Sequence, residues 1–161
     1  MDPKIGFIGL GHMGKSMAIN IAKAEFDLTV LDTKKEKMEK LIPFDASIAK
    51  SPKNLAQKVD WILLSLPGTT EVRSVIYGEK GILEGSHTGL IVIDLGTTHP
   101  LATREIEASF KKKGVAFLDA PVSGMQARAM EGTLTVMVGG EKKAFKRVKN
   151  VLATLGNKII Y

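Results

Sequence analysis

A chain of 161 residues is long enough for one domain with its own core, because folding at this size buries roughly two-thirds of the surface that the unfolded chain exposes. Hydrophobic residues make up 44% of the chain and charged residues 25%. These proportions are ordinary for a globular protein and argue against a disordered or fibrous one. The chain has no Cys and only three scattered His residues, which excludes disulfides, thiolate catalysis and Cys-ligated zinc and predicts no metal site.

The formal net charge of +6 is compatible with nucleic-acid binding, but most Lys residues lie at helical spacing in the segments 34–40, 111–113 and 142–149. This spacing favours solvent-exposed helix faces, and we expect no nucleic-acid partner. No apolar run approaches the roughly 20 residues that cross a bilayer. We therefore expect no membrane partner and a cytoplasmic location.

Short apolar segments alternate with amphipathic ones along most of the chain. Apolar runs bounded by Gly, Pro or polar residues predict strands, and apolar residues three or four positions apart predict helices. Ser51 and Pro52 are typical N-cap and first-turn residues of a helix. In chain order, the pattern predicts a strand at 4–10, a helix at 13–24, a strand at 28–31, a Lys-rich helix through 38–42, a helix from 51–52 to 58, a strand at 61–66, a helix through 72–76, a strand at 90–93, a helix at 100–113, a strand at 115–118, an irregular glycine-rich segment after 121, a strand at 134–138, a helix at 141–155 and a strand at 158–161.

The predicted strands are apolar throughout, whereas strands with one solvent-exposed face alternate apolar and polar residues. Uniformly apolar strands are typical of a parallel sheet that is covered by helices on both faces. The sequence therefore predicts a doubly wound α/β fold with a mainly parallel sheet.

The first predicted turn carries a glycine motif. Gly9, Leu10, Gly11, His12, Met13 and Gly14 have the spacing GxGxxG, between a predicted strand and a predicted helix, and Asp32 ends the next strand. Gly9 would allow the tight turn, Gly11 would let the backbone approach a pyrophosphate, and Gly14 would let the helix pack on the strand. The amides and dipole at the helix N-terminus would attract the anion. This arrangement predicts a dinucleotide-binding site of the Rossmann type.

Asp32 indicates which dinucleotide such a site would bind. Its carboxylate would accept hydrogen bonds from the adenosine ribose and would repel a 2′-phosphate, which favours NAD. Lys34 and Lys35 leave NADP open. A second interpretation is that Asp32 is the N-cap of the following helix.

The glycine turn and several later segments resemble the amino-terminal domain of the β-hydroxyacid dehydrogenases, a family that includes 3-hydroxyisobutyrate and 6-phosphogluconate dehydrogenases. Beyond the turn, the resemblance rests on Asn20, Lys23 and the segments 64–67, 93–97, 119–124, 132–134 and 137–140. It implies that Leu66, Pro67 and Thr97 contact the cofactor and that Ser123 and Gly124 bind the carboxylate of a small hydroxy acid. The implied reaction transfers a hydride between a 3-hydroxy acid and a nicotinamide cofactor, NAD or NADP.

The sequence also departs from the family pattern. Met125 and Arg128 stand where the pattern usually has glycine, Gly96 where many relatives have serine, and Glu25 where glycine usually ends the first helix. Arg128 is either a ligand of an anionic substrate group or a solvated loop residue. We expect the three His residues to be surface residues: His12 in the turn, and His87 and His99 without partners.

By the same resemblance, the catalytic lysine of the family would come from a helix that begins after position 161, and no lysine of this chain matches it. We therefore expect one domain over residues 1–161, the absence of the helical carboxyl-terminal domain from this chain, and an isolated chain that does not turn over substrate. The resemblance implies a homo-oligomer for the full-length protein. An alternative function is a non-catalytic nucleotide-binding or redox-sensing module.

Overall fold

The computed structural model describes residues 2–161, and ten strands and eight helices are assigned there. The strands are β1 (Ile5–Ile8), β2 (Leu28–Leu31), β3 (Ser47–Ile48), β4 (Trp61–Leu64), β5 (Ile91–Asp94), β6 (Ala116–Asp119), β7 (Val122–Ser123), β8 (Leu134–Met137), β9 (Gly139–Gly140) and β10 (Gly156–Ile160). The helices are α1 (His12–Lys23), α2 (Lys35–Glu39), α3 (Pro52–Ala56), α4 (Thr69–Tyr77), α5 (Ile82–Gly85), α6 (Pro100–Lys111), α7 (Met125–Glu131) and α8 (Lys142–Ala153), with a short 3-10 turn at Ile42–Phe44. None of the helices within residues 2–161 has the length and apolar character needed to cross a membrane.

Seven strands form one sheet in the order β3-β2-β1-β4-β5-β6-β9. Neighbouring strands are parallel except β9, which runs antiparallel to β6. The order 3-2-1-4-5-6 is that of Rossmann folds. The predicted doubly wound, mainly parallel sheet is therefore confirmed.

Each face of this sheet packs against its own layer of helices, as predicted. One apolar core includes Met17 and Ile21 of α1 and Val148 of α8, while the other includes Ile76 of α4 and Phe110 of α6. All five side chains are fully buried. Strands β1, β4 and β5 are buried along their whole length because helices cover both faces.

The prediction of an irregular segment after Pro121 was wrong. Residues 122–123 and 125–131 form β7 and α7, and β7 joins a second sheet in the order β10-β8-β7. Strand β8 is parallel to β10 and antiparallel to β7. The sequence of α7 did not predict a helix because Ala129 is its one buried residue, which leaves no apolar periodicity.

The topology fixes where a ligand can bind. Strand β1 lies between β2 and β4. The chain first adds β2 and β3 on one side of β1 and then adds β4, β5 and β6 on the other side, so the strand order reverses at β1. In open α/β sheets, ligands bind in the crevice outside the carboxyl ends of the strands at this point. The turns after β1, β2, β4 and β5 all lie at that edge.

Candidate cofactor-binding site

The three glycines of the first turn have different steric surroundings. Gly9 has a φ of +97°, and a Cβ there would overlap the carbonyl oxygen of Ser65. A Cβ on Gly14 would overlap the carbonyl oxygen of Gly9. A Cβ on Gly11 would have no heavy atom within 4 Å. The folded chain itself therefore requires glycine at positions 9 and 14 but not at position 11.

Helix α1 begins at this turn with Gly11 as its N-cap, and no side chain caps it. Its first turn also contains no acidic residue. The first amides of a helix have no partner within the helix. This N-terminus can therefore offer its amides and its dipole to an anion.

Asp32 connects the end of β2 to the glycine turn. Its Oδ2 accepts a hydrogen bond from the Leu10 amide at 2.7 Å, and its Oδ1 accepts one from the Lys34 amide at 2.9 Å. Helix α2 begins at Lys35 with Lys34 as its N-cap. The alternative interpretation of Asp32 as the helix N-cap is thus wrong, and its carboxylate instead holds the turn beside it.

A groove of about 840 Å³ runs along this edge of the sheet. It is lined by eight of the ten predicted cofactor residues: Gly9, Gly11, His12, Met13, Gly14, Asp32, Leu66 and Pro67. Leu10 is instead buried under the turn, and its side chain belongs to the core on the α1 face of the sheet. Thr97 lies outside the groove, exposed on the next loop.

The far wall of the groove comes from α3, α4 and the loops that precede α3 and follow α4. Sequence reasoning missed the residues of this wall, which include Lys50, Ser51, Glu71, Ser74, Val75, Glu79 and Lys80, and it also missed Lys37 of α2. They come from separate parts of the chain and form no motif. The N-cap signal at Ser51, whose Oγ accepts a hydrogen bond from the Asn54 amide at 3.0 Å, was the one trace of this wall in the sequence.

The loops after β4 and β5 lie against each other. The Leu95 amide donates to the carbonyl oxygen of Leu64 at 2.9 Å. A Cβ on Gly96 would lie 3.2 Å from the carbonyl oxygen of Leu66. The structure therefore brings the loop that contains Thr97 next to Leu66, which lines the groove.

Two carboxylates lie at the ends of adjacent strands, and sequence reasoning did not single them out. Asp94 of β5 and Asp119 of β6 are paired in register. Burial raises the pKa of Asp94, partly opposed by its hydrogen bonds from Thr98 and from the Gly96 amide. Burial also raises the pKa of Asp119, and the charge of Asp94 raises it further.

Ser123 and Gly124, the predicted substrate residues, lie outside the cofactor groove at the end of β7. Ser123 is exposed. Gly124 has a φ of +141°, and a Cβ there would lie 2.7 Å from Cδ of Arg128. Met125, which stands where the family pattern has glycine, has a φ of +62°. Met125 therefore adopts the left-handed backbone conformation that favours glycine.

Two other motif residues have structural partners. Nδ2 of Asn20 donates to the carbonyl oxygen of Ala129 at 2.8 Å, which fastens α7 to α1. Gly132 ends α7 with a left-handed φ of +68°. These contacts give Asn20 and Gly132 roles in fixing α7, the helix that follows the predicted substrate residues.

The histidines have no shared site. His12 is exposed at the start of α1, as expected. His87 and His99 are also exposed, as expected, but they do have partners: Nε2 of His87 lies 3.0 Å from the carbonyl oxygen of Val59, and the side chain of His99 caps α6. Within residues 2–161, no group of three or more His, Asp or Glu side chains is placed to hold a metal ion.

Comparison with known proteins identifies the family of this fold and turn. Residues 4–161 match the family described as the NAD binding domain of 6-phosphogluconate dehydrogenase. The chain belongs to this family. It is an NAD-binding domain of the β-hydroxyacid dehydrogenase type, as the sequence motifs predicted.

Individual relatives agree with this assignment. The chain is 40% identical over 157 residues to a probable mitochondrial 3-hydroxyisobutyrate dehydrogenase of Dictyostelium discoideum, covering 98% of this chain and 49% of that protein. It is 37% identical over 158 residues to an NAD-dependent L-serine dehydrogenase of Pseudomonas aeruginosa, covering 98% and 53%. The solved structure of Psf3 in complex with NADP+ and 2-OPP superposes with a TM-score of 0.93 at 26% identity, covering 98% of this chain and 56% of that one. The chain spans about half the length of the curated relatives it matches.

Proposed function

We propose that the groove beside α1 binds NAD(H), and that the chain is the cofactor-binding part of an oxidoreductase that transfers a hydride between a 3-hydroxy acid and the nicotinamide. The observation that carries the proposal is the open space at Gly11, because this glycine is the N-cap of α1 and nothing in the folded chain requires it. A pyrophosphate in that space would meet the free amides of the helix and its dipole. The residues present thus fit a dinucleotide.

Asp32 supports NAD over NADP. Its carboxylate lines the groove and carries no salt bridge among residues 2–161. A carboxylate without a salt bridge accepts hydrogen bonds from ribose hydroxyls and repels a 2′-phosphate. The basic side chains of Lys37, Lys50 and Lys80 line the same groove and keep NADP as the second candidate.

The substrate proposal rests on the relatives and on the loop after β7. The matched relatives include dehydrogenases of 3-hydroxyisobutyrate and of L-serine, which both carry a hydroxyl on the third carbon of a carboxylic acid. Ser123 is exposed and offers a hydroxyl to a carboxylate, and the backbone amide of Gly124 follows it in the chain. Hydroxyl and amide donors suit the directional oxygens of such an anion.

In this scheme the chain binds and orients, while the bound nicotinamide supplies the hydride chemistry. The turn and α1 hold the pyrophosphate, Asp32 holds the adenosine ribose, and the loops of Leu66, Pro67 and Thr97 orient the nicotinamide end. A general acid or base at the substrate hydroxyl is also needed, and by family resemblance no lysine within residues 1–161 has that role. We therefore expect residues 1–161 alone to bind cofactor without steady-state turnover, and we expect the full-length protein to be a homo-oligomer.

The binding proposal is tested by calorimetric titration of the purified chain with NADH and with NADPH. We expect saturable binding that favours NADH. The Asp32→Asn variant removes the charge and should raise the ratio of NADPH affinity to NADH affinity. Any loosening of the glycine turn would weaken both ligands alike, because they share the pyrophosphate.

Asp27→Asn is the matched control, since Asp27 is an exposed residue just before the opposite end of β2 and the change removes the same charge. It should leave the ratio unchanged. Equal ratios for wild type and Asp32→Asn would contradict the role of Asp32, and the absence of binding to either nucleotide would contradict the proposed site. Detectable turnover by residues 1–161 would contradict the expected inactivity.

A further inference from the structure

The loop between β5 and α6 carries Thr97 at an exposed position and is held on both sides of it. The Leu95 amide donates to Leu64 of β4 at 2.9 Å. The His99 amide donates to Oγ1 of Thr69 at 2.9 Å. These two contacts fix the ends of the loop, but they leave the residues next to Thr97 to be held by something else.

The carboxylate of Asp94 holds both of those residues. Its Oδ1 accepts a hydrogen bond from the Gly96 amide at 3.0 Å, and its Oδ2 accepts one from Oγ1 of Thr98 at 2.5 Å. Gly96 and Thr98 are the immediate neighbours of Thr97 in the chain. One buried side chain therefore sets the backbone on both sides of the exposed threonine.

The sequence context makes this carboxylate unusual. Asp94 ends a strand whose other residues, Ile91 to Ile93, are all apolar and buried, and it is itself 0% exposed. No salt bridge reaches it among the residues that the structure describes. Burying a charge without a cation costs free energy unless hydrogen bonds compensate. The free-energy cost of burying Asp94, together with its hydrogen bonds from Gly96 and Thr98, indicates a role that a hydrophobic side chain could not fill.

We propose that Asp94 is a positioning residue for the nicotinamide end of the cofactor, acting through Gly96 and Thr98 to set the orientation of Thr97. The proposal rests on the proposed function, since it assumes a dinucleotide in the groove. The loop borders that groove, because a Cβ on Gly96 would lie 3.2 Å from the carbonyl oxygen of Leu66, a groove residue. Asp94 thus acts on the nicotinamide end of the ligand and not on the pyrophosphate at the glycine turn.

The test compares NADH with ADP-ribose, which keeps the adenosine and the pyrophosphate but lacks the nicotinamide. Thr98→Val removes the hydroxyl that donates to Asp94 while keeping the shape of the side chain. We expect it to weaken NADH binding about three- to tenfold, the range that follows from losing part of a hydrogen bond to a charged group. Binding of ADP-ribose should change less than about twofold, since the glycine turn does not depend on this bond.

Two control variants separate positioning from general destabilisation. Thr98→Ser keeps the hydroxyl and should restore NADH binding. Thr103→Val removes the nearby buried hydroxyl of α6 that has no hydrogen-bond partner within residues 2–161, and it should change neither ligand. Thermal melting of each variant establishes that it is folded, and Asp94→Ala, which removes both bonds, should give the same selective loss more strongly.

Equal weakening of NADH and ADP-ribose, or unchanged NADH binding in a folded Thr98→Val variant, would overturn the role of Asp94. In either case, wild-type binding of both ligands would leave the proposed function standing. If the wild-type chain binds neither ligand, the proposed function fails, and the positioning role fails with it.

Discussion

Adding one methyl group at Gly11 should weaken cofactor binding at least about tenfold without affecting the fold. In the free chain, the Cβ of Gly11→Ala meets no atom within 4 Å, and the φ of −67° at this position is one that alanine adopts freely. Alanine is a poorer N-cap than glycine by roughly 0.5–1 kcal/mol. It also reduces the entropy of the unfolded chain, which stabilises the protein by about 0.4–1 kcal/mol. The loss from the poorer N-cap and the gain from the lower entropy of the unfolded chain nearly cancel, so the free energy of unfolding should hardly change.

The same methyl group three residues later should have the opposite effect. In Gly14→Ala, the Cβ overlaps the carbonyl oxygen of Gly9 inside a buried part of the turn. Overpacking of this kind costs about 1–3 kcal/mol or more. For a domain of this size, that corresponds to a fall in Tm of about 2–12 °C, whereas Gly11→Ala should stay within about 2 °C of wild type.

The assay is a pair of measurements on both variants: thermal unfolding by circular dichroism, and calorimetric titration with NADH. We expect Gly11→Ala to melt with wild-type Tm and to lose at least about tenfold in affinity, because the methyl occupies the space proposed for the pyrophosphate. Wild-type affinity in Gly11→Ala would refute the placement of the pyrophosphate. A Tm as low as that of Gly14→Ala would refute the steric reasoning.

Three further predictions concern stability. Glu25, with a φ of +64° at the end of α1, strains an L-residue by about 1–2 kcal/mol, so Glu25→Gly should raise the free energy of unfolding by roughly 0.5–1 kcal/mol after the entropy of glycine is subtracted; chemical denaturation measures this, and an unchanged midpoint would contradict it. Asn20→Ala removes the bond to Ala129 and should cost about 0.5–1.5 kcal/mol in the same assay, whereas a neutral effect would mean that α7 is held without it. Burial raises the pKa of Asp94, so between its ordinary and its raised pKa the native state keeps a proton that the unfolded state has released, and the stability of wild type falls as the pH rises through that window. The Tm of Asp94→Asn relative to that of wild type should therefore increase from about pH 3 to pH 7. A constant difference in Tm would show that Asp94 does not titrate as inferred.

The main strands could be predicted because each contains an apolar run, and the central strands β1, β4 and β5 are buried on both faces of the sheet. The run at 28–31 was predicted with the bounds of β2, and the others to within a few residues. The two-residue strands β3, β7 and β9, the short helix α5 and helix α7, which exposes all but one of its residues or buries them only in part, were missed. Elements of two to four residues carry too few positions for any period, and their pairing depends on the neighbours that the rest of the fold supplies.

The candidate site also has a part that could be predicted from the sequence and a part that could not. The glycine turn and Asp32 could be predicted because their spacing is a local property of one strand, one turn and one helix. The wall made by α3 and α4 and the role of Asp94 could not, because they arise where distant segments meet. Asp94 lay inside a segment already matched to the family, yet only the hydrogen bonds to Gly96 and Thr98 reveal what its carboxylate does.

Met125, at the predicted substrate loop, combines a left-handed backbone with an exposed side chain. Gly124 and Met125 both have positive φ values, and the bond from Asn20 holds the far end of α7. The left-handed conformation costs a strain of about 1–2 kcal/mol at Met125. The added side chain is 81% exposed, so it contributes nothing to the core. Around Gly124 the loop presents the side chains of Met125 and Arg128. Under the proposed function, selectivity among hydroxy acids should therefore depend on these two side chains.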